Sequence, residues 1–153
     1  MGQSGSVTTR KATVRDAPDV ARLVQGLLEE LGGTAVDPEP LLTTTRTLMT
    51  EQVVIALIAE AGDQPIGVLM LNECAAIYAG GRFGQITELY VTPDNRSGGV
   101  AVALLAEARR VAQQSGWERF EVGAPDQPAW NRTLQFYLRE GFEEVGPRLR
   151  QIL

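Results

Sequence analysis

The stretch Asn95-Arg96-Ser97-Gly98-Gly99-Val100-Ala101 joins a β-branched run to an apolar helical pattern, and Pro93 stands just before it. A helix start exposes unpaired backbone N–H groups and the positive end of the helix dipole, so it holds anions. Gly98 and Gly99 let the backbone come close to a ligand with no Cβ in the way, and Arg96 adds a full positive charge at the mouth. A diphosphate suits such a turn. It is not a nucleotide P-loop, because no Gly-Lys-Ser/Thr follows, and the spacing is not that of a dinucleotide fingerprint. An ordinary turn followed by a helix start accounts for the same residues, so both readings stand at this point.

The chain has no histidine. Nucleophile systems built on Ser-His-Asp or Cys-His are therefore excluded, as is any histidine-ligated metal. Acid–base work near neutral pH falls to carboxylates, Tyr, Cys, Lys or water, and no metal is expected. A net charge of −5 with 14 basic residues argues against a nucleic-acid surface and mildly favours cationic partners. Cys74, the single cysteine, cannot form an internal disulfide, which agrees with a reducing compartment. Together with the lack of a signal sequence or an apolar run of membrane-spanning length, this sets the expected location as cytoplasmic, with no membrane partner. Met1–Ser6 fits an N-myristoylation pattern, but no polybasic partner accompanies it to make one acyl chain hold.

These residues need elements to position them. After a lead-in over residues 1–7, a strand is expected near Val7–Thr13. A helix follows, capped by Asp16 with Pro18 in its first turn and stopped by Gly32 and Gly33. Val20, Leu23, Val24, Leu27, Leu28 and Leu31 form its apolar stripe. A second helix starts at Asp37-Pro38, with Leu41, Leu42, Leu48 and Met49 inward and its threonines weakening it. Gln52–Glu60 and Pro65–Ala79 read as a strand pair, Gly80–Gly84 as a flexible loop, and Gln85–Thr92 as the next strand. A helix over Gly98–Gln114 buries Ala101, Leu104, Leu105, Ala108 and Ala112 and ends at Gly116. Trp117–Ala124 is a strand, Gln127–Phe142 holds a short helix, and residues 142–153 are expected to add one or two strands. The fold class is α/β: one domain over residues 1–153, a mixed and mostly antiparallel sheet with helices on both faces.

Arg96-Ser97-Gly98-Gly99-Val100-Ala101 resembles the acyl-CoA loop of the GCN5-related N-acetyltransferases, [Q/R]-x-x-G-x-[G/A]. Two further features are similar to that family: Glu88-Leu89-Tyr90-Val91 before the loop and Phe136-Tyr137-Leu138-Arg139-Glu140-Gly141-Phe142 late in the chain. The opening strand and helix resemble it too, so the likeness runs from about Thr8 to Leu153. It implies transfer of an acetyl group from acetyl-CoA to an amine by direct attack on the thioester. By resemblance, a bulge in the Thr87–Val91 strand opens it for pantetheine along Leu89, Tyr90 and Val91. Arg96, Ser97, Gly98, Gly99, Val100 and Ala101 would then hold the diphosphate. Leu89 N–H would polarise the thioester carbonyl.

An alkylammonium with a pKa near ~10 must lose a proton before it can attack, and Glu88 is the candidate base. A paired or solvent-facing strand glutamate is the plainer alternative. Some relatives carry this carboxylate earlier on the strand, where this chain has Thr87 and Gln85. Tyr137 matches the family's tyrosine that protonates the leaving thiolate, against a plain core aromatic. Asn131 stands one residue later than the family's cofactor-contacting asparagine. Glu29, Glu30, Tyr78 and Arg82 occupy the places from which relatives build the acceptor pocket. Cys74, with no histidine to activate it, is expected to be an inert buried thiol. The acceptor is expected to be a small-molecule amine, with a peptide acceptor or a non-catalytic acetyl-CoA sensor as alternatives. Resemblance alone favours a homodimer.

Overall fold

The computed structural model describes residues 6–153. Gly2, the residue that myristoylation would need, lies outside them, as does most of the expected lead-in. Val7 already opens a strand. Among the described residues there are five strands and four α-helices: β1 Val7–Lys11, α1 Ala17–Gly32, α2 Pro38–Thr50, β2 Ile55–Ala61, β3 Gln64–Ala76, β4 Gly81–Val91, α3 Val100–Ser115, β5 Phe120–Val122 and α4 Asn131–Arg139. The strands lie in the order β1-β2-β3-β4-β5, with β1 to β4 paired antiparallel.

The chain forms two compact units, one ending at Glu121 and one running from Val122 to Leu153. In the first, strand alternation sends one set of side chains to each sheet face. Ala56, Ile58, Val68 and Met70 form a core with Ala17, Val20, Leu23 and Val24 of α1 and Met49 of α2. Leu57, Ala59, Leu69 and Leu71, of the opposite parity, are buried on the other face, as are Val100, Leu104, Leu105 and Ala108 of α3. A Cβ on Gly67 would stand 3.2 Å from Val100 and Leu104 side-chain carbons, which places α3 against that face. Helices therefore cover both faces.

Several expectations give way here. Asp16 precedes α1, but its carboxylate does not cap it. Arg10 grips both its oxygens at 2.8 and 2.9 Å, and Thr13 N–H donates to it at 2.8 Å. The α1 stripe is buried only in its first half, since Leu28 and Leu31 are exposed. In α2 the missed inward residue is Thr45, buried, with its hydroxyl donating to Leu41 C=O at 2.8 Å. Asp37 does cap α2, accepting from Glu39 N–H at 3.0 Å.

Gly81–Gly84 is not a loop but the start of β4, paired with Glu73–Ala76, so the turn shrinks to Ile77–Gly80. α3 begins at Val100, with Gly99 at φ 82° as its cap, so Val100 rather than Ala101 opens the buried face. Trp117 is buried but precedes β5. Residues 142–153 carry no strand. Gly146 at φ 127° breaks the extended alternation there, and Pro147 has no N–H to give a ladder.

Within the second unit, Tyr137 of α4 packs edge-on against Phe136 and Phe142, at ring-centroid distances of 5.5 and 5.3 Å.

Candidate functional site

The β3–β4 ladder slips by one residue. Met70 faces Glu88, whereas Leu71 faces Ile86, so Thr87 is the extra residue of a bulge. Beyond it, Thr92 N–H donates to Ile66 C=O at 2.9 Å. Antiparallel pairs alternate between bonded and non-bonded, so with the Val68–Tyr90 and Met70–Glu88 register the backbones of Tyr90 and Glu88 turn toward β3. Those of Leu89 and Val91 turn the other way, to the outer edge of β4. The neighbour on that edge is the three-residue β5, entered where Gly84 N–H donates to Arg119 C=O at 3.0 Å. It flanks the first half of the eleven-residue β4. The outward groups of Leu89 and the outward N–H of Val91 thus lie past the start of β5, on a stretch able to take an extended ligand as one takes a strand.

The loop after β4 winds through a short helical turn, Pro93–Asn95, fixed by Asn95 N–H to Thr92 C=O at 2.9 Å and by the Asn95 amide to the Thr92 hydroxyl at 2.7 Å. Ser97 at φ 69° and Gly99 at φ 82° are both left-handed. Ala103 N–H closes the first turn of α3 on Gly99 C=O at 2.9 Å, which leaves the N–H groups of Val100, Ala101 and Val102 as the helix's unpaired donors. Ser97, Gly98 and Gly99 are exposed. The loop backbone ahead of these unpaired donors is therefore open to solvent.

Arg96 is held differently from the sequence expectation of an open cation. Its Nε donates to Val91 C=O at 2.8 Å and its Nη2 to Glu30 Oε1 at 2.8 Å, while the guanidinium lies 5.3 Å from the Tyr90 ring centre. Tyr90 in turn fills the space that Gly26 leaves open, since a Cβ there would stand 2.9 Å from its hydroxyl. Arg96 ties the loop to β4 and to the C-terminal end of α1. Sequence reasoning missed this cluster, although a glycine inside an otherwise well-patterned helix was a signal of close packing.

Glu88 is half-buried on the α1/α2 face of the sheet, opposite Met70, with the Thr87 hydroxyl donating to its Oε1 at 2.6 Å. Glu29, an acceptor-site candidate, is engaged elsewhere. Val36 N–H and the Gln25 amide donate to its carboxylate at 2.8 and 3.2 Å, holding the α1–α2 connection and lowering its pKa. Tyr78 lies on the β3–β4 turn with its hydroxyl donating to Glu121 at 2.8 Å, the main cause of its raised pKa. Arg82 pairs with Glu73 at 2.7 Å, and Trp117 Nε1 donates to the same carboxylate at 2.7 Å.

Cys74 is half-buried rather than sealed, and its thiol donates to Gln85 Oε1 at 3.5 Å, because the polar partners Asn72 and Gln85 share its sheet face. In the second unit Asn131 opens α4, and burial pushes the Tyr137 hydroxyl up to about 12. Such a phenol stays protonated throughout the neutral range and can act only as a proton donor there. No group of three or more Cys, Asp or Glu side chains placed to hold a metal occurs among the described residues. No helix among them is long and apolar enough to cross a membrane.

Comparison with known proteins places this geometry. Residues 52–144, more than half of the chain, match the acetyltransferase (GNAT) domain. No curated protein matches the chain. Among solved structures, a ribosomal-protein-alanine N-acetyltransferase from Brucella melitensis biovar Abortus 2308 is similar at TM-score 0.76 and 20% identity, covering 96% of this chain and 100% of its own. A predicted acetyltransferase from Clostridium acetobutylicum, solved with acetyl-CoA, reaches 0.78 and 20% over 96% of each chain. An aminoglycoside acetyltransferase from an uncultured soil metagenomic sample, in complex with sisomicin, reaches 0.78 and 18%, again over 96% of each. The bulged β4, the outward backbone of Leu89 and Val91 and the glycine-capped α3 therefore belong to a member of the GNAT acetyltransferase family, an acetyl-CoA-dependent acyltransferase.

Proposed function

We propose that this chain is one N-acetyltransferase domain over residues 1–153 that acetylates a primary amine of a small molecule. The observation that carries the reading is the bulge at Thr87, which leaves Leu89 and Val91 with outward backbone groups one loop ahead of the α3 N-terminus. The residues fit acetyl-CoA as cosubstrate: Leu89 and Val91 line the pantetheine stretch. Tyr90 between them turns its backbone to β3 and its ring to Arg96, so it is not proposed as a cofactor contact. Ser97, Gly98, Gly99, Val100 and Ala101 present the diphosphate donors, and Arg96 closes the loop. When bound, the cosubstrate supplies an activated acetyl thioester. Leu89 N–H polarises its carbonyl, and Glu88, through water, accepts the proton that the attacking ammonium must shed. Tyr137 is assigned the proton-donor role and Asn131 a cofactor contact on family resemblance. Glu29, with Tyr78, borders the acceptor's approach in that resemblance, Glu29 acting through the α1–α2 connection it holds.

A small acceptor is supported by the acidic balance and by the neighbour complexed with sisomicin. We also assign a reducing, cytoplasmic setting, supported by the lone thiol of Cys74, and a homodimer by resemblance. The test joins isothermal titration of acetyl-CoA to a primary-amine panel with thiol detection of released CoA. Binding with CoA release on a subset of small amines is expected. Tight binding with no release on any amine or peptide would instead make the protein an acetyl-CoA sensor.

A further inference from the structure

The α1/α2 face of the sheet changes character along β3. Val68 and Met70 belong to the core, but the next residues on that face are Asn72 and Cys74, opposite Gln85 and Phe83. Glu88 stands on the same face. Asn72, Cys74 and Gln85 form a hydrogen-bond chain across the two strands. Cys74 donates its S–H to Gln85 Oε1 at 3.5 Å, and its sulfur accepts from Asn72 Nδ2 at 3.8 Å. That orients the Asn72 amide and leaves Oδ1 as a bare acceptor. This oxygen is sealed from bulk water without a hydrogen-bond partner, the one such side-chain atom among the described residues. A buried acceptor left without a donor is unfavourable, so a donor brought to it is favoured.

We propose that Asn72 Oδ1 is a specificity contact for the acceptor, taking a hydrogen bond from a second donor, ammonium or hydroxyl, on the amine whose reacting nitrogen lies beside Glu88. The inference rests on the Glu88 role proposed above. Asn72 is two strand positions beyond Met70, the residue facing Glu88, which is about 7 Å along the strand. Two donors that far apart are separated by roughly four methylenes, given ~1.3 Å of rise per extended carbon on the same scale as a strand's ~3.3 Å per residue. The acceptor class is a short diamine or amino alcohol. Glu88 supplies the only full charge of this row, so a second cation is favoured over a second anion.

The probes are 1,4-diaminobutane and 1-aminobutane, which share a reactive amine and differ in the second donor. Asn72→Leu should raise KM for 1,4-diaminobutane by about 10-fold or more, as loss of a hydrogen bond from a charged donor does. The kcat, and KM for 1-aminobutane and acetyl-CoA, should stay within about twofold. Independently of turnover, the side-chain amide signal of Asn72, identified by its loss in Asn72→Leu, should move on adding 1,4-diaminobutane and stay fixed with 1-aminobutane. That titration uses the protein without acetyl-CoA, so absence of CoA release would fail the proposed function while the amide signal still decides this site. Asn72→Asp, which keeps the oxygen, should hold or lower the diamine KM if the leucine variant folds poorly. Equal responses to the two amines would overturn the proposal. So would an Asn72→Leu protein of higher thermal midpoint with unchanged diamine KM, or an Asn72→Asp protein with a raised one.

Discussion

Replacing Glu30 by glutamine should tighten the hold on acetyl-CoA, although Glu30 sits on α1 and not in the loop. In the structure its carboxylate takes Arg96 Nη2 at 2.8 Å, so the loop's cation is neutralised before any diphosphate arrives. The two side chains are 41% and 33% exposed, which puts the pair among solvated ion pairs worth about 0–1 kcal/mol. A second contribution is direct repulsion. A carboxylate across one guanidinium from a bound anion, at roughly 7 Å, costs about 0.6 kcal/mol in water, and physiological salt removes about half of it. Together they predict a gain of about 0.5–1 kcal/mol, or roughly a 2- to 5-fold lower Kd for acetyl-CoA in Glu30→Gln. Isothermal titration at low and physiological salt reads it, and the gain should be larger at low salt. In an Arg96→Ala background the same substitution should recover only the screened repulsion, because no cation remains to be released. An unchanged or raised Kd in Glu30→Gln, or an equal gain without Arg96, would refute the reasoning.

Gly84→Ala should lower the thermal midpoint and perturb Trp117 fluorescence. Its Cβ would stand 2.5 Å from the indole that Glu73 pins, a clash worth about 1–3 kcal/mol. Asp16→Asn should destabilise by roughly 1 kcal/mol near neutral pH, after discounting for the partly exposed Arg10 that grips it. Asp16 is held at about 2 against an ordinary 3.8, chiefly by the Arg10 hydrogen bonds. Its contribution is therefore complete above the unfolded value and lost as pH falls through the folded one; urea melts at pH 7 and pH 2 should show most of the mutant penalty gone at the lower pH. Tyr137 runs the other way, raised to about 12, so a neutral phenol persists in the folded state well above pH 10. Spectrophotometric titration should show the highest tyrosinate step missing in Tyr137→Phe, and an activity limb below pH 10 that vanishes in this variant would contradict the assignment. Ser97→Gly should stabilise by up to about 1 kcal/mol in denaturant melts, because Ser97 is left-handed at φ 69°.

The parts of this fold legible in the sequence are those set by local rules. Asp37-Pro38 fixed a helix start because capping involves only neighbours, and Gly99 and Gly116 mark both ends of α3 through their left-handed backbone. The residues that went astray answer to distant partners. Asp16 reads as a cap, yet a guanidinium six residues back outbids a backbone N–H for its carboxylate. Gly81–Gly84 reads as a loop by composition, but pairing with Glu73–Ala76 and the space it leaves for Trp117 make it a strand. The bulge at Thr87 is a property of two strands in register, so no single-strand pattern could show it; family likeness supplied that expectation. Asn72 and Gln85 lay hidden for the same reason, since only register makes them neighbours.

The arrangement of Arg96 bears on why such a loop works on an acidic chain. With a net charge of −5 and its one loop cation committed to Glu30 and Val91 C=O, long-range attraction contributes little to capturing a polyanion. On the function proposed above, the attraction comes at short range, from N–H groups of Val100, Ala101 and Val102 that the first turn of α3 leaves unpaired and from the dipole behind them. Arg96 then acts first on shape: by bonding the Val91 carbonyl and lying over Tyr90, it fixes the angle at which the loop leaves β4. Arg96→Lys keeps the charge but lacks the planar guanidinium whose Nε holds the Val91 carbonyl while it lies over Tyr90. It should therefore weaken acetyl-CoA binding nearly as much as Arg96→Ala. A lysine variant that binds like the wild type would show that charge alone is what the loop requires.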